Sequence, residues 1–220
     1  MTNEPGGARP SEGLHSTLTF LREWLRAPRS IAALSPSGRQ LARLMVAQVP
    51  RGAQRVIELG GGTGAITRAL LDRGVPREGL LVLELNDTLH RHLHSRFAGV
   101  HVAHADARHL RDVLHRTGFL DAAPADAVIS SLGLLAMPRR VQREILEGAF
   151  AALRPDGCFV QFTYGPASPV PRPLLVELGL GVRRDGVAWW NVPPASVYVY
   201  QRLRTRTPRT MSGADGFSAA

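Results

Sequence analysis

The sequence contains no lysine, a single cysteine and no long apolar run. About 18 uninterrupted apolar residues would be needed to cross a bilayer, so we expect no membrane-spanning segment. Cys158 cannot form an internal disulfide, and its apolar neighbours indicate a buried strand. No charged segment followed by an apolar run and a cleavage site is visible at the N-terminus, so we expect a cytoplasmic protein.

Basic residues outnumber acidic residues in this chain. All 27 basic residues are arginine, the net charge is +9, and the pI is near 11.3. This surplus predicts a polyanionic partner, either nucleic acid or an anionic membrane surface, and charge alone does not choose between them. A chain of 220 residues, 44% hydrophobic and 20% charged, fits one globular α/β domain with a small appendage.

The two ends of the chain differ from its middle. Residues 1–13 are polar and contain glycine and proline, so we expect a disordered leader. Apolar residues then recur at steps of three and four over residues 14–26, which predicts an amphipathic helix, and a second helix is predicted over residues 38–49. Together, residues 14–52 are expected to dock on a membrane or cover the active site. Residues 205–220 lack periodicity and are expected to be disordered.

Strand and helix patterns alternate between residues 53 and 204. Predicted strands cover residues 56–59, 80–85, 100–106, 126–132, 158–164, 181–190 and 197–203, and predicted helices cover residues 65–72, 87–97 and 139–153. This alternation predicts an α/β domain with a mostly parallel, seven-stranded, Rossmann-like sheet covered by helices on both faces. The last two strands, with no helical pattern between them, predict an antiparallel hairpin at the sheet edge.

A glycine cluster lies where the first strand meets its helix. Its glycines are Gly60, Gly61, Gly62 and Gly64, and Glu58 precedes them. Glycine at such a turn permits positive φ and lets a ligand approach the backbone. Glu84 ends the next strand about 20 residues after Gly64, the position from which a carboxylate binds ribose hydroxyls in nucleotide-binding units. The two signals together predict a nucleotide-like ligand.

The segment from Glu58 to Gly64 resembles motif I of class I S-adenosylmethionine-dependent methyltransferases, and it differs from the G-x-G-x-x-G of dinucleotide-binding proteins. The resemblance implies S-adenosylmethionine as cofactor, S-adenosylhomocysteine as product, and Asp106 as the acid that contacts the adenine amino group. Ala107 and Ser130 complete the predicted cofactor contacts. Helix capping is the alternative role for the three acids, but their register with three successive strands favours ligand binding.

Over nearly the whole folded region the chain resembles bacterial phospholipid N-methyltransferases, which methylate phosphatidylethanolamine towards phosphatidylcholine. The matching segments are residues 20–30, 35–41, 58–64, 131–138, 143–157, 159–166 and 191–195. Gly133 departs from the pattern, because family members are expected often to carry proline there. The resemblance implies a peripheral enzyme on the inner face of the cytoplasmic membrane, and we expect a monomer that binds no nucleic acid.

Candidate substrate residues follow the later strands. The amine must react uncharged, and its methylated product favours aromatic faces. Tyr164 is predicted to orient the amine, Trp189 and Asn191 to contact the substrate, and Arg172 to bind the phosphodiester. A place in the hydrophobic core is the alternative for the aromatic side chains.

Three alternatives to a lipid methyltransferase without metal fit the sequence less well. His90 and His94 have a spacing that can bind zinc, but no third ligand lies nearby in sequence, so no metal is predicted. An rRNA adenine dimethylase-like enzyme would share the cofactor site and the basic charge. Such enzymes carry an Asn/Asp-Pro-Pro-aromatic-like motif after the fourth strand, where this chain has residues 130–134, SSLGL. A non-catalytic lipid-surface module is disfavoured because all three acids are present.

Overall fold

The computed structural model describes residues 36–164, 167–189 and 194–203. The helices are α1 (Pro36–Ala47), α2 (Ala65–Asp72), α3 (Asp87–Arg96), α4 (Leu110–Thr117), α5 (Arg139–Ala152) and α6 (Arg172–Glu177). The strands are β1 (Val56–Leu59), β2 (Leu80–Glu84), β3 (His101–His104), β4 (Ala125–Ser130), β5 (Leu153–Tyr164), β6 (Leu180–Ala188) and β7 (Ala195–Arg202). None of these helices combines the length and apolar character needed to cross a bilayer.

Three predicted segments lie outside the described residues: the leader 1–13, the helix 14–26 and the tail 205–220. The division of the chain into an N-terminal helical region and a domain over residues 53–204 therefore stays a prediction. The second predicted helix, 38–49, is present as α1.

The described strands form one seven-stranded sheet in the order β3-β2-β1-β4-β5-β7-β6. Strands β1 to β5 are parallel to one another, whereas β7 runs antiparallel to both β5 and β6. The predicted fold, a mostly parallel sheet with an antiparallel C-terminal pair, is confirmed. Because β6 runs in the same direction as β5, the carboxyl ends of β1 to β6 meet at one edge of the sheet.

Helices cover both faces of the sheet. On one face, Leu59 and Phe159 pack with apolar side chains of α4, α5 and α6. On the other face, Val82 and Val160 pack with side chains of α1, α2 and α3. Strands β1 and β2 are buried at every position, as expected of parallel strands in the middle of a sheet. This burial includes Glu58, an acidic residue within a layer of apolar side chains.

Two helices and one strand start were not predicted. In helix α4 the buried Leu110, Val113 and Leu114 have helical spacing, although no helix was predicted there. Helix α6 has only six residues and contains Pro173 in its first turn, so it gives no clear period of 3.6. Strand β5 begins at Leu153, where a helix end was predicted. Its pairing with β4 starts there and shifts register before Cys158, which is where the predicted strand began.

Cys158 is buried in β5, as its apolar neighbours predicted. Burial raises the pKa of this thiol to about 11, so it stays protonated at neutral pH. A protonated, buried thiol is a small hydrophobic side chain and a poor nucleophile.

Candidate active site

A loop of glycines joins β1 to α2 at the carboxyl edge of the sheet. Positive φ values are found at Gly60 (+81), Gly62 (+54) and Gly64 (+83). A Cβ on Gly61 would lie 2.5 Å from Cγ1 of Val82, and one on Gly64 would lie 2.3 Å from Cε2 of Phe97. A Cβ on Gly62, in contrast, would meet nothing within 4 Å. The loop is therefore packed tightly against β2 and α3 but has open space beside Gly62.

Glu84 holds this loop from the end of β2. Its Oε2 accepts a hydrogen bond from the amide of Gly62 at 2.8 Å, and its Oε1 accepts one from the amide of Asn86 at 2.8 Å. A carboxylate oxygen can accept two hydrogen bonds, so each oxygen keeps capacity for a ligand hydroxyl. The structure thus places Glu84 beside the glycine loop, and its predicted contact with ribose hydroxyls stays a prediction.

Glu58 is fully buried beneath the loop. Its Oε2 accepts a hydrogen bond of 2.7 Å from the hydroxyl of Thr67, and its Oε1 has no partner among the described residues. Burial raises the pKa of Glu58 to about 8; the negative charge of Glu84 adds to the rise, and the Thr67 hydrogen bond opposes it. A buried carboxyl group with one unpartnered oxygen can receive a hydrogen-bond donor or a positive charge.

Asp106 follows β3 and interacts closely with Arg108. Its Oδ1 accepts a hydrogen bond of 2.9 Å from the backbone amide of Arg108, and its Oδ2 accepts one of 2.7 Å from the guanidinium of the same residue. This guanidinium holds the pKa of Asp106 below its ordinary value. Asp106 therefore caps the short turn that begins with the buried Ala107, which is the alternative role considered from the sequence. Its predicted contact with adenine stays a prediction.

Two serines with different contacts follow one another at the end of β4. Ser130 is buried, and its hydroxyl accepts a hydrogen bond of 3.3 Å from the backbone amide of Leu132. The hydroxyl of Ser131 donates to the carbonyl of Gly60, and its amide donates to the carbonyl of Leu59 at 3.0 Å. The predicted contact of Ser130 with the cofactor stays a prediction, and the serine side chain that contacts the glycine loop is that of Ser131.

A small pocket adjoins the loop at the carboxyl ends of β4 and β5. It is lined by Ser131, Leu132, Gly133, Leu134, Leu135, Phe162, Thr163 and Tyr164. None of these side chains is charged at neutral pH. The rings of Tyr164 and Phe162 meet edge to face with centroids 5.5 Å apart, and burial raises the pKa of Tyr164. The site therefore combines a glycine loop flanked by acids with an uncharged pocket containing a phenol.

The other predicted substrate residues are not brought into this pocket by the described structure. Arg172 is exposed at the start of α6. Trp189 follows β6 at the same edge of the sheet as Tyr164, and 73% of it is exposed. Asn191 lies outside the described residues. Their roles stay predictions.

The histidines of α3 form ring contacts. His90 stacks on His104 with ring centroids 5.1 Å apart, and His90 and His94 are 6.2 Å apart. Within residues 36–164, 167–189 and 194–203, no group of three or more His, Cys, Asp or Glu side chains is arranged to hold a metal ion. That no metal is bound stays a prediction.

The sequence and the fold of this chain are similar to those of known methyltransferases. Residues 56–157 match the family described as methyltransferase domain. An ornithine lipid N-methyltransferase of Singulisphaera acidiphila is 35% identical over 151 residues, which are 67% of this chain and 77% of that protein.

Solved structures resemble the fold at lower identity. The 1,6-didemethyltoxoflavin-N1-methyltransferase of Burkholderia thailandensis is 17% identical with a TM-score of 0.58, over 91% of this chain and 93% of that one. The N-methyltransferase NodS of Bradyrhizobium japonicum is 15% identical with a TM-score of 0.57, over 86% and 99% of the two chains. With the family match and the relative from Singulisphaera acidiphila, these comparisons show that the chain belongs to the class I methyltransferases, the enzymes that take a methyl group from S-adenosylmethionine.

Proposed function

We propose that this methyltransferase N-methylates the primary amine of a membrane lipid, with phosphatidylethanolamine converted towards phosphatidylcholine. The observation that carries the proposal is the uncharged pocket beside the glycine loop. An amine accepts a methyl group only through its neutral form, and a pocket without charged side chains favours that form over the ammonium. The ornithine lipid N-methyltransferase of Singulisphaera acidiphila supports a lipid amine as acceptor. Ornithine lipid and phosphatidylethanolamine both offer this group.

The glycine loop and its acids fit the cofactor. The open side of Gly62 leaves room for a ligand against the backbone, and the unpartnered Oε1 of Glu58 fits the positively charged methionine part. In this proposal Glu84 accepts hydrogen bonds from the ribose hydroxyls, while Asp106 and Ala107 face the adenine. When bound, S-adenosylmethionine supplies a methyl group carried on a positively charged sulfur.

The pocket residues orient the amine and exclude water from it. Because burial raises its pKa, Tyr164 keeps its proton at neutral pH and serves as a hydrogen-bond partner, not as a base. The described lining contains no carboxylate, so the ammonium gives its proton to bulk water before the neutral amine enters the pocket. The faces of Tyr164 and Phe162 stabilise the positive charge of the methylated nitrogen. Arg172, Trp189 and Asn191 contact the rest of the headgroup in this proposal.

Attachment to the membrane is assigned to the N-terminal segment and to the positive charge of the chain. The apolar periodicity of residues 14–26 is typical of a helix that lies in a membrane interface. Arg22, Arg26 and Arg29 would each add about 1 kcal/mol near anionic headgroups. The exposed Trp189, at the same edge as the pocket, has the amphipathic ring found at such interfaces. The enzyme is thereby held at the inner face of the cytoplasmic membrane.

The proposal is tested by following the methyl group. The protein is incubated with S-adenosylmethionine labelled on the methyl group and with four acceptors in separate reactions: vesicles containing phosphatidylethanolamine, vesicles containing ornithine lipid, vesicles of phosphatidylglycerol alone, and RNA. Label in one or both amine lipids, with none in phosphatidylglycerol, is expected and identifies the acceptor. Label in RNA alone overturns the lipid proposal in favour of RNA methylation.

A further inference from the structure

Two buried glutamines contact the loop that follows β4. This loop covers residues 131–138 and supplies five of the residues that line the uncharged pocket: Ser131, Leu132, Gly133, Leu134 and Leu135. Gln142 lies in α5 and Gln161 in β5, and they are 4% and 0% exposed. A buried amide is unfavourable unless it forms hydrogen bonds, so the partners of these two side chains show what they do.

Gln161 joins the two walls of the pocket. Its Nε2 donates to the carbonyl of Leu132 at 2.8 Å and to the carbonyl of Phe162 at 2.7 Å. Leu132 belongs to the loop and Phe162 to β5, and both line the pocket. The amide of Gln161 therefore uses both of its hydrogens on the backbone of the pocket.

Gln142 holds the other end of the same loop. Its Nε2 donates to the carbonyl of Leu134 at 2.8 Å and to that of Met137 at 3.2 Å, and it lies 3.5 Å from the carbonyl of Pro169. The first two carbonyls belong to the loop, and the third belongs to the segment between β5 and α6. Gln142 thus links the loop to the segment that follows the Tyr164 strand.

Every partner of these two amides is a carbonyl oxygen, so only the NH₂ group can face them. The Oε1 atoms of both glutamines have no partner among the described residues. Two buried acceptors without partners reduce stability, and an apolar side chain of similar size would avoid that cost. Such a side chain could not form the hydrogen bonds to the loop, however, so glutamine at both positions keeps contacts with the loop that an apolar residue lacks.

We propose that Gln142 and Gln161 are positioning residues that set the shape and polarity of the acceptor pocket. They hold the loop against β5, and their Nε2 donors occupy carbonyl oxygens of the pocket backbone. A pocket in which carbonyl oxygens already accept hydrogen bonds favours the neutral, reactive form of the amine. This inference rests on the proposed function, because it takes the pocket to be the acceptor site.

The test compares Gln161→Met and Gln142→Met, which keep the length of the side chain but remove its donors. Gln54→Met is the matched control, because Gln54 also donates to a carbonyl, that of Gly52 at 3.0 Å, but at the opposite edge of the sheet. Four quantities are measured: kcat/KM for the lipid amine, its pH profile, the affinity for S-adenosylhomocysteine, and hydrogen exchange of the amides of residues 131–138.

Each glutamine variant is expected to lower kcat/KM for the amine about tenfold or more and to move the rising limb of the pH profile to higher pH. Loop amides should exchange faster, and affinity for S-adenosylhomocysteine should change less than about twofold, in contrast to a general loss of structure. Gln161→Glu and Gln142→Glu are expected to keep part of the activity, because a buried glutamic acid stays protonated and donates one hydrogen bond. These two variants also replace either methionine variant if it fails to fold.

Three results separate the possible failures. Unchanged loop exchange in both methionine variants overturns the positioning role, whatever the acceptor is. Cofactor affinity that falls in parallel with kcat/KM also overturns it, because the glutamines would then support the whole site. Failure of the wild-type protein to methylate any lipid amine overturns the proposed function instead, and loop exchange still decides whether the glutamines hold the loop.

Discussion

The hydroxyl of Thr67 donates a hydrogen bond to Oε2 of Glu58 over 2.7 Å, while Oε1 of the same buried carboxyl has no partner in the described structure. Since burial raises the pKa of Glu58 to about 8, the group is neutral at pH 7 in the free protein. A bound ligand with a positive charge favours the ionised form. Glu58 is therefore expected to lose a proton when the ligand binds in the cofactor site.

Binding of S-adenosylhomocysteine should release a proton from Glu58 at pH 7, and the affinity should increase as pH rises towards 8. Titration calorimetry in two buffers of different ionisation enthalpy measures the protons released. Glu58→Gln is expected to abolish the release and to weaken binding about tenfold or more, the loss of a buried charged contact. The exposed Glu78→Gln is the control. Equal proton release in wild type and Glu58→Gln would place the titrating group elsewhere.

The same carboxyl makes the stability of the unliganded protein depend on pH. Its folded pKa of about 8 lies above the ordinary value of 4.5, so its contribution is fully present below pH 4.5 and is lost as pH rises through 8. Glu58→Gln removes this term, so the free energy of unfolding of the variant, relative to wild type, should increase between pH 5 and pH 8. Urea denaturation at these two pH values measures it. An equal change in the free energy of unfolding between pH 5 and pH 8 in the two proteins would contradict the raised pKa.

Local patterns made most of the fold predictable. The apolar strand 56–59 and the glycines after it are contiguous in sequence, and their residue types constrain the backbone directly. The contacts of Ser131 with Gly60 and of Gln161 with Leu132 could not be predicted, because they depend on β4 lying between β1 and β5. Alternation of strands and helices indicates a parallel sheet but leaves open which strands are neighbours.

Gly62 and Gly52 form a matched pair for testing where the cofactor binds. Their φ values are +54 and +73, and a Cβ on either would meet nothing within 4 Å. Alanine should therefore reduce the stability at both positions by a similar amount, about 1 kcal/mol, through backbone strain alone. Only Gly62→Ala should also weaken binding of S-adenosylhomocysteine, by about tenfold or more. Unchanged affinity in that variant would show that no ligand lies against Gly62.

Tyr164→Phe separates orientation of the amine from proton transfer. The variant keeps the ring but loses the hydroxyl, so kcat is expected to fall about fivefold to tenfold, the equivalent of one hydrogen bond. The pH profile should keep its midpoint, because Tyr164 is protonated throughout the neutral range. Tyr200→Phe is the control, since its hydroxyl contacts Ser168 and not the pocket. A shifted midpoint in Tyr164→Phe would indicate that the phenol acts as a base.

Deleting residues 1–27 should weaken sedimentation with anionic vesicles far more than affinity for S-adenosylhomocysteine. The full-length variant carrying Leu18→Glu and Leu25→Glu should sediment as weakly as the deletion variant, because a charge within the apolar face of the predicted helix would oppose insertion into the interface. Raising the salt concentration should reduce the sedimentation of the wild type, since arginine contacts with headgroups are screened. Sedimentation that the deletion leaves unchanged would assign membrane binding to another surface.

The placement of β7 between β5 and β6 affects the order in which the sheet can assemble. In the described sheet β6 pairs with β7, and β7 comes later in the chain. Residues 180–188 therefore have no partner in the sheet until residues 195–202 have paired with β5, although β1 to β5 can already associate. Strand β6 is thus expected to join the sheet last, after β7.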